Sequence, residues 1–475
     1  VPVALAALRV LRLPPSQVWA HVRAPGLETD PPDNLLCDIT LFDEDGAPCV
    51  LLTGVHMVKR DPAALQTEEK LAQCIYQVDW LAAAAAAAAP VSPMAIVLLS
   101  DSAGSADSVV ASLAAVPVRF IRVVPGAEFR RCSADSFVIN PREPEHYHRL
   151  LRQCFPEAAP CAAAWHLWSL DSAAAESSAD AAGCLEPAEA CASAAFLAQA
   201  LLCHGWRDLP SLILLTRGAV PVAEPLSPKA PLGLFQAPLW GLGRSLSLEH
   251  PELRCKLIDL SPEPLDTEIL RAALLTQDPE CQVAVRTAGR YVARFVPGSW
   301  SGAGGAGGRA AGAEPWVRPE ASYLITGGLS GLGLSLAQEL VDRGARHLVL
   351  ISRSHPGAQA AEMIEQWRSR GVQVMASATD VSKAAQLARL FAEVETEFPP
   401  LRGIVHCAAA LDDHAVLQLS GESFARTFAP KVQGAWLLHR LSLRLQLDFF
   451  VLYSSAASAL GAPGQANYAA ANAFL

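Results

Sequence analysis

The feature that most constrains the fold is a glycine-rich turn within YLITGGLSGLGLSLAQELVDRG, in the second half of the chain. A strand-like run leads directly into this turn, and an amphipathic helical pattern follows it. The turn has the pattern T-G-x-x-x-G-x-G, formed by Thr326, Gly327, Gly331 and Gly333. Glycines allow a tight turn and let the backbone approach a pyrophosphate, which rests at the positive end of the helix. In this strand–turn–helix context the pattern predicts a dinucleotide-binding unit.

Strand-like and helical runs alternate on both sides of a low-complexity segment. From about residue 74, strand-like runs such as AIVLLS, AAWHLWSL and SLILLT alternate with helical runs such as ACASAAFLAQALLCHG. Residues 299–315 consist largely of Gly and Ala and predict a linker, because such small residues cannot support a core. A second strand–helix series follows. The alternation predicts an α/β fold with parallel sheets, in two Rossmann-like subdomains. The first subdomain has no glycine-rich turn after a strand, so we expect it to be a support.

Residues 1–57 have a different pattern. The runs VWAHVRA and LLCDITLFDEDGAPCVLLTGVHMV predict short antiparallel strands, with Asp45-Gly46 as a tight turn. Residues 58–73 are charged and predict a linker. The opening VPVALAALRVL has no basic region, and AAANAFL ends a helical pattern without a stop signal. We therefore expect both ends to be cuts within a larger polypeptide.

Composition argues against several classes of function. The net charge of −10 gives no basic surface for nucleic acid. No window reaches the 18 uncharged apolar residues that a membrane span requires. Twelve cysteines occur without a C-x-x-C pair, so we predict no metal site. Long domains with unpaired thiols are typical of a reducing cytoplasm.

The strand that follows the glycine-rich unit indicates which cofactor is used. HLVLISRS ends at Ser352 and Arg353, where a carboxylate would accept from the ribose 2′-hydroxyl of NAD. A guanidinium instead favours a 2′-phosphate, and the alternative is an arginine that is merely solvated. We predict NADPH, and hence reduction. VMASATDVS places Asp380 and Val381 at another strand end, where an adenine could pack.

A tyrosine near the end of the chain is a candidate proton donor. In GQANYAAANAFL, Tyr468 is followed four residues later by Asn472, where a lysine would lower the pKa of the phenol. Either the site is broken or another element supplies the lysine. RTFAPKVQGAWLLHRL predicts an amphipathic helix that carries Lys431, and LDFFVLYSSAASAL predicts a buried strand that ends in serines, among them Ser455.

These residues resemble a short-chain dehydrogenase/reductase, and more narrowly the ketoreductase domain of modular polyketide synthases. In that family the lysine lies on the preceding helix and the asparagine lies four residues after the tyrosine. Lys431, Ser455, Tyr468 and Asn472 match this arrangement, with separations of 24, 13 and 4 residues.

The resemblance extends over nearly the whole chain. IYQVDW, PLWGLGRSLSLEHPELRCKLIDL and QVAVRTAGRYVARF resemble parts of the family's structural subdomain, which would span residues 74–298. Residues 316–475 would form the catalytic subdomain, truncated at its C-terminus. Residues 1–57 resemble the last strands of a dehydratase double-hotdog domain, without its catalytic residues.

The resemblance implies a role for each residue of the site. Tyr468 would donate a proton to the developing alkoxide as hydride arrives from NADPH. Ser455 would hydrogen-bond the substrate carbonyl, Lys431 would lower the pKa of the tyrosine, and Asn472 would anchor the relay. The cofactor would contact the glycine-rich turn, two strand ends and the HCAAA segment: Thr326, Gly327, Leu329, Ser330, Gly331, Leu332, Gly333, Ser352, Arg353, Asp380, Val381, Ala408 and Ala409.

The segment HCAAALDD carries a stereochemical marker. Leu411, Asp412 and Asp413 match the triplet of B-type ketoreductases. The A-type tryptophan, eight residues before the tyrosine, is Leu460 here, and Ala471 replaces the proline of epimerising domains. The resemblance thus implies a D-β-hydroxyacyl product. The alternative is that the two acidic residues are merely solvated.

The leading hypothesis is reduction of a β-ketoacyl thioester on an acyl carrier protein. The parent synthase would be a homodimer with a dehydratase upstream. Two alternatives stay open: a dehydrogenase that acts on a small diffusible alcohol, and a non-catalytic scaffold in a megasynthase. The companion subdomain disfavours the former, and the matched tetrad disfavours the latter.

Overall fold

The computed structural model describes most of the chain. The described residues are 2–12, 18–24, 34–58, 74–83, 94–101, 104–114, 116–156, 159–171, 186–222, 233–265, 267–275, 279–298 and 316–475. The predicted linkers at 58–73 and 299–315 lie almost entirely outside these ranges. The chain forms two compact units, Val1–Gln77 with Val296–Ala313, and Val78–Phe295 with Glu314–Leu475.

The first unit contains an antiparallel sheet. Its strands are β1 (Pro2–Val10), β2 (Trp19–Arg23), β3 (Asn34–Phe42) and β4 (Pro48–Val58), in the spatial order β1-β4-β3-β2. In the turn between β3 and β4, Gly46 has a φ of 76°, which glycine adopts without steric cost. The Asp43 carboxylate accepts hydrogen bonds from the N–H groups of Asp45 and Ala47. The predicted antiparallel strands and Asp45-Gly46 turn are confirmed.

The second unit begins with a ten-stranded sheet. Its strands are β5 (Tyr76–Ala82), β6 (Met94–Leu99), β7 (Val118–Pro125), β8 (Arg130–Arg131), β9 (Ser136–Ile139), β10 (Ala163–His166), β11 (Ser211–Arg217), β12 (Lys256–Leu260), β13 (Gln282–Arg286) and β14 (Gly289–Pro297). The spatial order is β5-β14-β13-β12-β11-β10-β6-β7-β9-β8. The helices of this subdomain are α1 (Ser105–Ser112), α2 (Pro144–Cys154), α3 (Pro187–Cys203), α4 (Pro238–Glu249) and α5 (Thr267–Leu275).

The prediction of a parallel sheet is right for the centre of this sheet and wrong towards its edges. The pairs from β13 through β12, β11, β10, β6 and β7 to β9 are parallel. β14 is antiparallel to β13, and β8 is antiparallel to β9. The β13–β14 connection is too short for a crossover, which parallel strands require.

A second correction concerns the run AAWHLWSL, which the sequence predicts as one strand. β10 ends at His166, and Trp168–Asp171 forms a buried 3-10 turn. The Trp168 indole donates to the Val123 carbonyl, and the Ser169 hydroxyl donates to the Leu215 carbonyl at 2.7 Å. A short apolar run can be buried in either conformation, so its pattern alone does not distinguish them.

In this first subdomain, the protein's own charged groups occupy the carboxyl edge of the sheet. Asp259 and Arg286 form a buried ion pair of 2.7 Å at the ends of β12 and β13. The Asp259 carboxylate also accepts from the Thr216 hydroxyl at 2.6 Å and the Ala219 N–H at 2.9 Å. This is the edge at which open α/β sheets bind ligands. Here the internal pair ties neighbouring strands together.

The catalytic subdomain has a five-stranded sheet that is parallel throughout, as predicted. Its strands are β15 (Ser322–Thr326), β16 (His347–Ser352), β17 (Gln373–Ala378), β18 (Leu401–His406) and β19 (Phe449–Leu452), in the order β17-β16-β15-β18-β19. The helices are α6 (Gly331–Asp342), α7 (Ala358–Ser369), α8 (Ala384–Glu397), α9 (Gly421–Phe428), α10 (Ala435–Ser442), α11 (Ala457–Leu460) and α12 (Ala466–Phe474). The predicted α/β fold class with two Rossmann-like subdomains is confirmed.

The prediction of a buried strand before the serines is wrong in one respect. β19 is shorter than the apolar run, and its residue Val451 is 41% exposed. Among the described residues β19 has one neighbour, β18. An edge strand of this kind has one unpaired side, so its apolar residues are less covered than those of β15.

The two subdomains of the second unit are held together by close contact between α4 and α12. A Cβ atom on Gly241 of α4 would lie 2.2 Å from the Ala469 carbonyl oxygen of α12. Alanines 469–471 are fully buried, and Trp240 and Phe474 belong to the same core cluster. Small residues on both helices therefore let the backbones approach, which brings the tyrosine-bearing helix against the supporting subdomain.

We expect Gly241→Ala to lower the free energy of unfolding by about 1–3 kcal/mol, because the new methyl group meets backbone that cannot move aside. Gly421→Ala, at the first residue of α9, is the control, since no described atom lies within 4 Å of its new methyl group. Urea denaturation measures both. Equal losses would show that the α4–α12 contact is not limiting.

Candidate active site

The glycine-rich turn lies at the carboxyl end of β15 and leads into α6. Gly327 has a φ of 67°, and a Cβ atom there would be 3.1 Å from the Ala408 backbone nitrogen. A Cβ atom on Gly333 would lie 2.3 Å from the Gly327 carbonyl oxygen, so the first helical turn packs directly on the loop. Ser330 precedes the helix and, within the described residues, forms no side-chain cap. The N–H groups of the first turn therefore point to where a phosphate would rest.

The other predicted cofactor residues lie along the same edge of the sheet. Ser352 ends β16, and the next residue, Arg353, is exposed. Arg353 has no ion-pair partner in the part of the chain that the structure describes. Ala408 and Ala409 follow β18, and the Ala408 N–H donates to the Thr326 hydroxyl at 3.1 Å.

Four predicted cofactor residues differ in whether their side chains are exposed or already in contact with the protein. Leu332 is 71% exposed on the first turn of α6, whereas Leu329 is buried. The Asp380 carboxylate accepts from the N–H and hydroxyl of Ser382, at 2.9 and 2.7 Å. These bonds stabilise the turn at residues 380–382. Val381 is buried, and a Cβ atom on Gly434 would lie 2.8 Å from it. The Val381 side chain therefore packs on the protein interior.

The helix predicted to carry Lys431 is interrupted. α9 ends at Phe428, residues Ala429–Gly434 form a π-helical turn, and α10 follows. Pro430 has no N–H to donate, and a wider turn accommodates this loss. π-helical turns occur frequently at functional sites, and sequence periodicity does not reveal this one.

Lys431 is buried, at 2% exposure, rather than solvated. Its Nζ donates to the Tyr453 carbonyl oxygen at 2.5 Å. Burial lowers the pKa of Lys431 to about 8, so the ammonium is mostly charged at neutral pH. The neighbouring Cys407 thiol stays neutral there, because burial raises its pKa to about 11.

Ser455 lies in the loop after β19, and Tyr468 and Asn472 lie on α12. Tyr468 is half-buried on α12, and within the described residues its hydroxyl has no hydrogen-bond partner. The Ser455 oxygen accepts from the Ala457 N–H at 3.2 Å, which leaves its O–H free to donate. The Asn472 amide donates to the Tyr468 carbonyl at 2.8 Å, and its side-chain oxygen is buried with no partner in the described chain.

Main-chain groups connect the predicted tetrad. Lys431 binds the Tyr453 carbonyl, and the hydroxyl of the next residue, Ser454, donates to the Asn472 carbonyl at 2.9 Å. Asn472 in turn binds the Tyr468 carbonyl. The structure therefore links the lysine, serine-loop and tyrosine elements through hydrogen bonds. Sequence analysis missed Tyr453 and Ser454, since neither pattern nor spacing marks a main-chain acceptor or the distant carbonyl to which a hydroxyl donates.

The loop with Leu411, Asp412 and Asp413 is attached to the segment that precedes Tyr468. The Asp413 carboxylate accepts from the Gln465 amide at 2.8 Å, and the Asp412 carbonyl accepts from the Asn467 amide at 2.8 Å. Arg426 of α9 lies 3.2 Å from the Asp412 carboxylate, and Leu411 is 62% exposed. The acidic residues are thus engaged with the protein, contrary to the alternative that they are merely solvated.

Residues of the first subdomain bind two loops of the catalytic subdomain, the one after Asp413 and the one before Tyr468. The two oxygens of the Glu249 carboxylate, at the end of α4, accept from the N–H groups of Val416 and Gly464 at 2.8 and 2.9 Å. Gln199 of α3 donates to the Val416 and Leu419 carbonyls. These residues belong to the functional arrangement, yet no motif marks them in the sequence.

In the described part of the chain, no group of three or more His, Cys, Asp and Glu side chains could hold a metal ion. No described helix is long and apolar enough to cross a membrane.

The parallel sheet, with the glycine-rich turn at the carboxyl end of its central strand, is that of a ketoreductase of the short-chain dehydrogenase/reductase type. Residues 321–475 match the KR domain family, and residues 19–295 match the family described as "Polyketide synthase extender module SpnB, Rossmann fold domain". The second match alone covers more than half of the chain. The chain therefore belongs to the ketoreductase domains of modular polyketide synthases, which are NAD(P)H-dependent Rossmann enzymes.

Known relatives agree with this assignment. The chain is 37% identical over 272 residues to a phenolphthiocerol/phthiocerol polyketide synthase from Mycobacterium tuberculosis, a match that covers 56% of this chain and 14% of that protein. It is 29% identical to a solved A-type ketoreductase from a modular polyketide synthase, with a TM-score of 0.68 over 85% of this chain and 79% of the other. For the first ketoreductase of the tylosin synthase the identity is 30% and the TM-score 0.63, over 84% and 77% of the chains.

We expect kcat for reduction to fall as the pH rises above about 8. Lys431 has a pKa of about 8, so the ammonium that we propose to take part in proton transfer is lost as the pH rises through that value. In Lys431→Met, the residual activity should lose this limb, because the titrating ammonium is absent. kcat measured against pH at saturating cofactor tests both enzymes, and a limb near pH 8 that survives in Lys431→Met would contradict the assignment.

Proposed function

We propose that this chain reduces a β-ketoacyl thioester, bound to an acyl carrier protein, to a D-β-hydroxyacyl thioester with NADPH. The observation that carries the proposal is the hydrogen-bonded connection from Lys431 through Tyr453, Ser454 and Asn472 to Tyr468. It attaches the helix that carries the proposed proton donor to the loop whose carbonyl binds the buried cation. This arrangement suits proton delivery to a carbonyl oxygen.

The proposed roles follow from the hydrogen-bonding capacity that each side chain has left. The Tyr468 hydroxyl has no acceptor among the described residues, so it can donate its proton to the developing alkoxide. The Ser455 O–H is free to donate to the substrate carbonyl and to stabilise charge on its oxygen. Lys431 supplies positive charge in a buried position, where an electrostatic interaction is strongest.

The residues of the turn fit NADPH, which when bound would supply the hydride. Gly327 and Gly333 leave room for close backbone approach, and the uncapped first turn of α6 offers N–H groups to the pyrophosphate. The exposed guanidinium of Arg353 suits the 2′-phosphate. Ala408 and Ala409 would line the nicotinamide end, where Ala409 is exposed.

The proposed partners follow from the family. The M. tuberculosis relative is itself named as part of a polyketide synthase, and this chain matches only 14% of it. We propose that an acyl carrier protein presents the substrate, in a cytoplasmic synthase that is a homodimer. We assign residues 1–57 to the tail of an upstream dehydratase, a proposal with which the antiparallel sheet β1-β4-β3-β2 is compatible.

The central test is Tyr468→Phe in the full-length protein. We expect reduction to be lost while NADPH binding is kept, because only the transferable proton is removed. Adding Lys431→Met should cause little further loss, since the two residues act as a unit. Single-turnover rates and NADPH fluorescence titration measure the two properties. A wild-type protein that binds NADPH but does not reduce the thioester would disprove the proposed function, and a Tyr468→Phe enzyme that reduces it at the wild-type rate would disprove the role of Tyr468.

Cofactor selectivity is tested with Arg353→Ala. NADPH affinity should fall about ten- to a hundredfold, as expected for one charge-assisted contact, while NADH affinity stays nearly constant. Arg389→Ala, an exposed arginine on α8, is the control. Equal losses for both cofactors would show that Arg353 does not read the 2′-phosphate.

The proposed stereochemistry depends on the loop of Leu411, Asp412 and Asp413. Its attachment to Gln465 and Asn467 supports a role in steering the pantetheine arm into the groove from one side. The A-type structures resemble this chain in fold, whereas the B-type proposal depends on loop residues. Ala471 lies buried on α12, and Leu460 is half exposed.

The predicted product of a diketide thioester is the D-alcohol, without epimerisation at the α-carbon. Asp413→Ala removes the acceptor for Gln465. It should lower the ratio of D- to L-alcohol more than it lowers NADPH affinity. Glu393→Ala, an exposed acid on α8, is the control. Chiral chromatography separates the alcohols, and a predominantly L-alcohol from the wild type would refute the B-type assignment.

A further inference from the structure

His406 is a buried side chain at the centre of the catalytic subdomain to which the proposed function gives no role. It is the last residue of β18 and is fully inaccessible to solvent. In the sheet it is the register partner of Thr326 on β15 and of Leu452 on β19. It therefore lies between the strand that leads to the glycine-rich turn and the strand that leads to the serines.

The contacts of the imidazole determine its tautomer. Nε2 lies 2.9 Å from the Pro430 carbonyl oxygen, which can only accept, so Nε2 carries the hydrogen and donates. Nδ1 lies 2.7 Å from the Thr326 hydroxyl. Burial, reinforced by the charge of Lys431, lowers the pKa of His406 to about 4, so the ring is neutral at physiological pH. Nδ1 therefore accepts from Thr326.

The hydrogen bonds run in one direction through the subdomain. The Ala408 N–H donates to the Thr326 oxygen, the Thr326 hydroxyl donates to His406, and His406 donates to Pro430. One end of this chain is the glycine-rich turn together with the segment after β18. The other end is the π-helical turn, at the peptide group that joins Pro430 to Lys431.

The main chain of His406 closes a circuit of hydrogen bonds that includes Lys431. Its carbonyl accepts from the Tyr453 N–H at 3.0 Å, and the Tyr453 carbonyl accepts the Lys431 ammonium. One residue thus holds both the backbone that precedes Lys431 and the peptide that receives its side chain. A Cβ atom on Gly434 would lie 3.4 Å from the imidazole, so the π-helical turn passes close to the ring.

We propose that His406 is a positioning residue, which holds Lys431 at the proton-relay site through Pro430 and holds the glycine-rich turn in register through Thr326. The inference rests on the proposed catalytic role of Lys431. Because the ring serves two sites through two different nitrogens, the two functions are separable. A side chain with a merely structural role would support both to the same extent.

The experiment compares two substitutions of His406 in the full-length protein. His406→Asn keeps an acceptor near Nδ1 for Thr326 and loses the donor to Pro430. His406→Gln places an amide donor near Nε2 and loses the acceptor for Thr326. For the former we expect kcat to fall about three- to tenfold, the effect of one lost hydrogen bond, with little change in NADPH affinity. For the latter we expect NADPH affinity to fall by a similar factor, with kcat largely kept.

Thr326→Val provides a second route to the same test, because it removes the hydroxyl while nearly preserving the volume of the side chain. It should weaken NADPH binding as His406→Gln does, and the double variant should be no weaker than either single variant. Stopped-flow rates, NADPH fluorescence titration and thermal denaturation are measured for each protein.

Equal losses of kcat and NADPH affinity in both His406 variants, in proportion to lost thermal stability, would overturn the proposal and leave a structural role. Additive losses in the Thr326→Val and His406→Gln pair would overturn the connected chain. Lys431→Met is measured alongside. If Lys431→Met loses activity while His406→Asn keeps its kcat, only the His406 inference fails. If Lys431→Met is fully active, the proposed catalytic role of Lys431 fails as well, and a wild-type protein without reductase activity would show that the proposed function is wrong.

Discussion

The buried ammonium of Lys431 is the interaction on which the rest of the catalytic subdomain depends. A charge removed from water is costly unless it is hydrogen-bonded, and the described structure gives Lys431 one direct acceptor, the Tyr453 carbonyl. That acceptor lies at the end of edge strand β19, so the serine loop must be held in place for the ammonium to be stable. Hydrogen bonds from Ser454 and Asn472 connect this loop to the tyrosine-bearing helix.

The supporting subdomain holds several elements of the catalytic subdomain in place. Contacts from α3 and α4 reach both loops that border the site, through Gln199 and Glu249. Gly241 permits α4 to touch the backbone of α12 directly. The first subdomain uses its own carboxyl edge for the buried Asp259–Arg286 pair. The first subdomain thus holds elements of the second in place. The sequence predicted this supporting role, because no glycine-rich turn follows a strand in the first subdomain.

Much of the fold could be predicted because its determinants are local. Alternation of strand and helix patterns predicted parallel sheets, and Asp45-Gly46 predicted a hairpin turn, since both depend on neighbouring residues. The errors arise where packing decides among conformations of similar local preference. Trp168 and Ser169 form a turn instead of extending the strand, because their hydrogen bonds to β7 and β11 replace the strand pairing that is lost. The π-helical turn at Lys431 is invisible in a pattern that suits an ordinary helix equally well.

The sequence by itself determined the family, the glycine-rich turn and the set of candidate residues, because these depend on residue types at set spacings. Only the tertiary structure decided how they are connected. It buried Lys431 against Tyr453, attached Asp413 to Gln465, and placed His406 between Thr326 and Pro430. These pairs are separated in the chain by up to 80 residues. Such contacts arise when parallel strands bring their carboxyl ends to one edge of the sheet. Periodicity within a single helix or strand does not indicate which distant residue will be the partner.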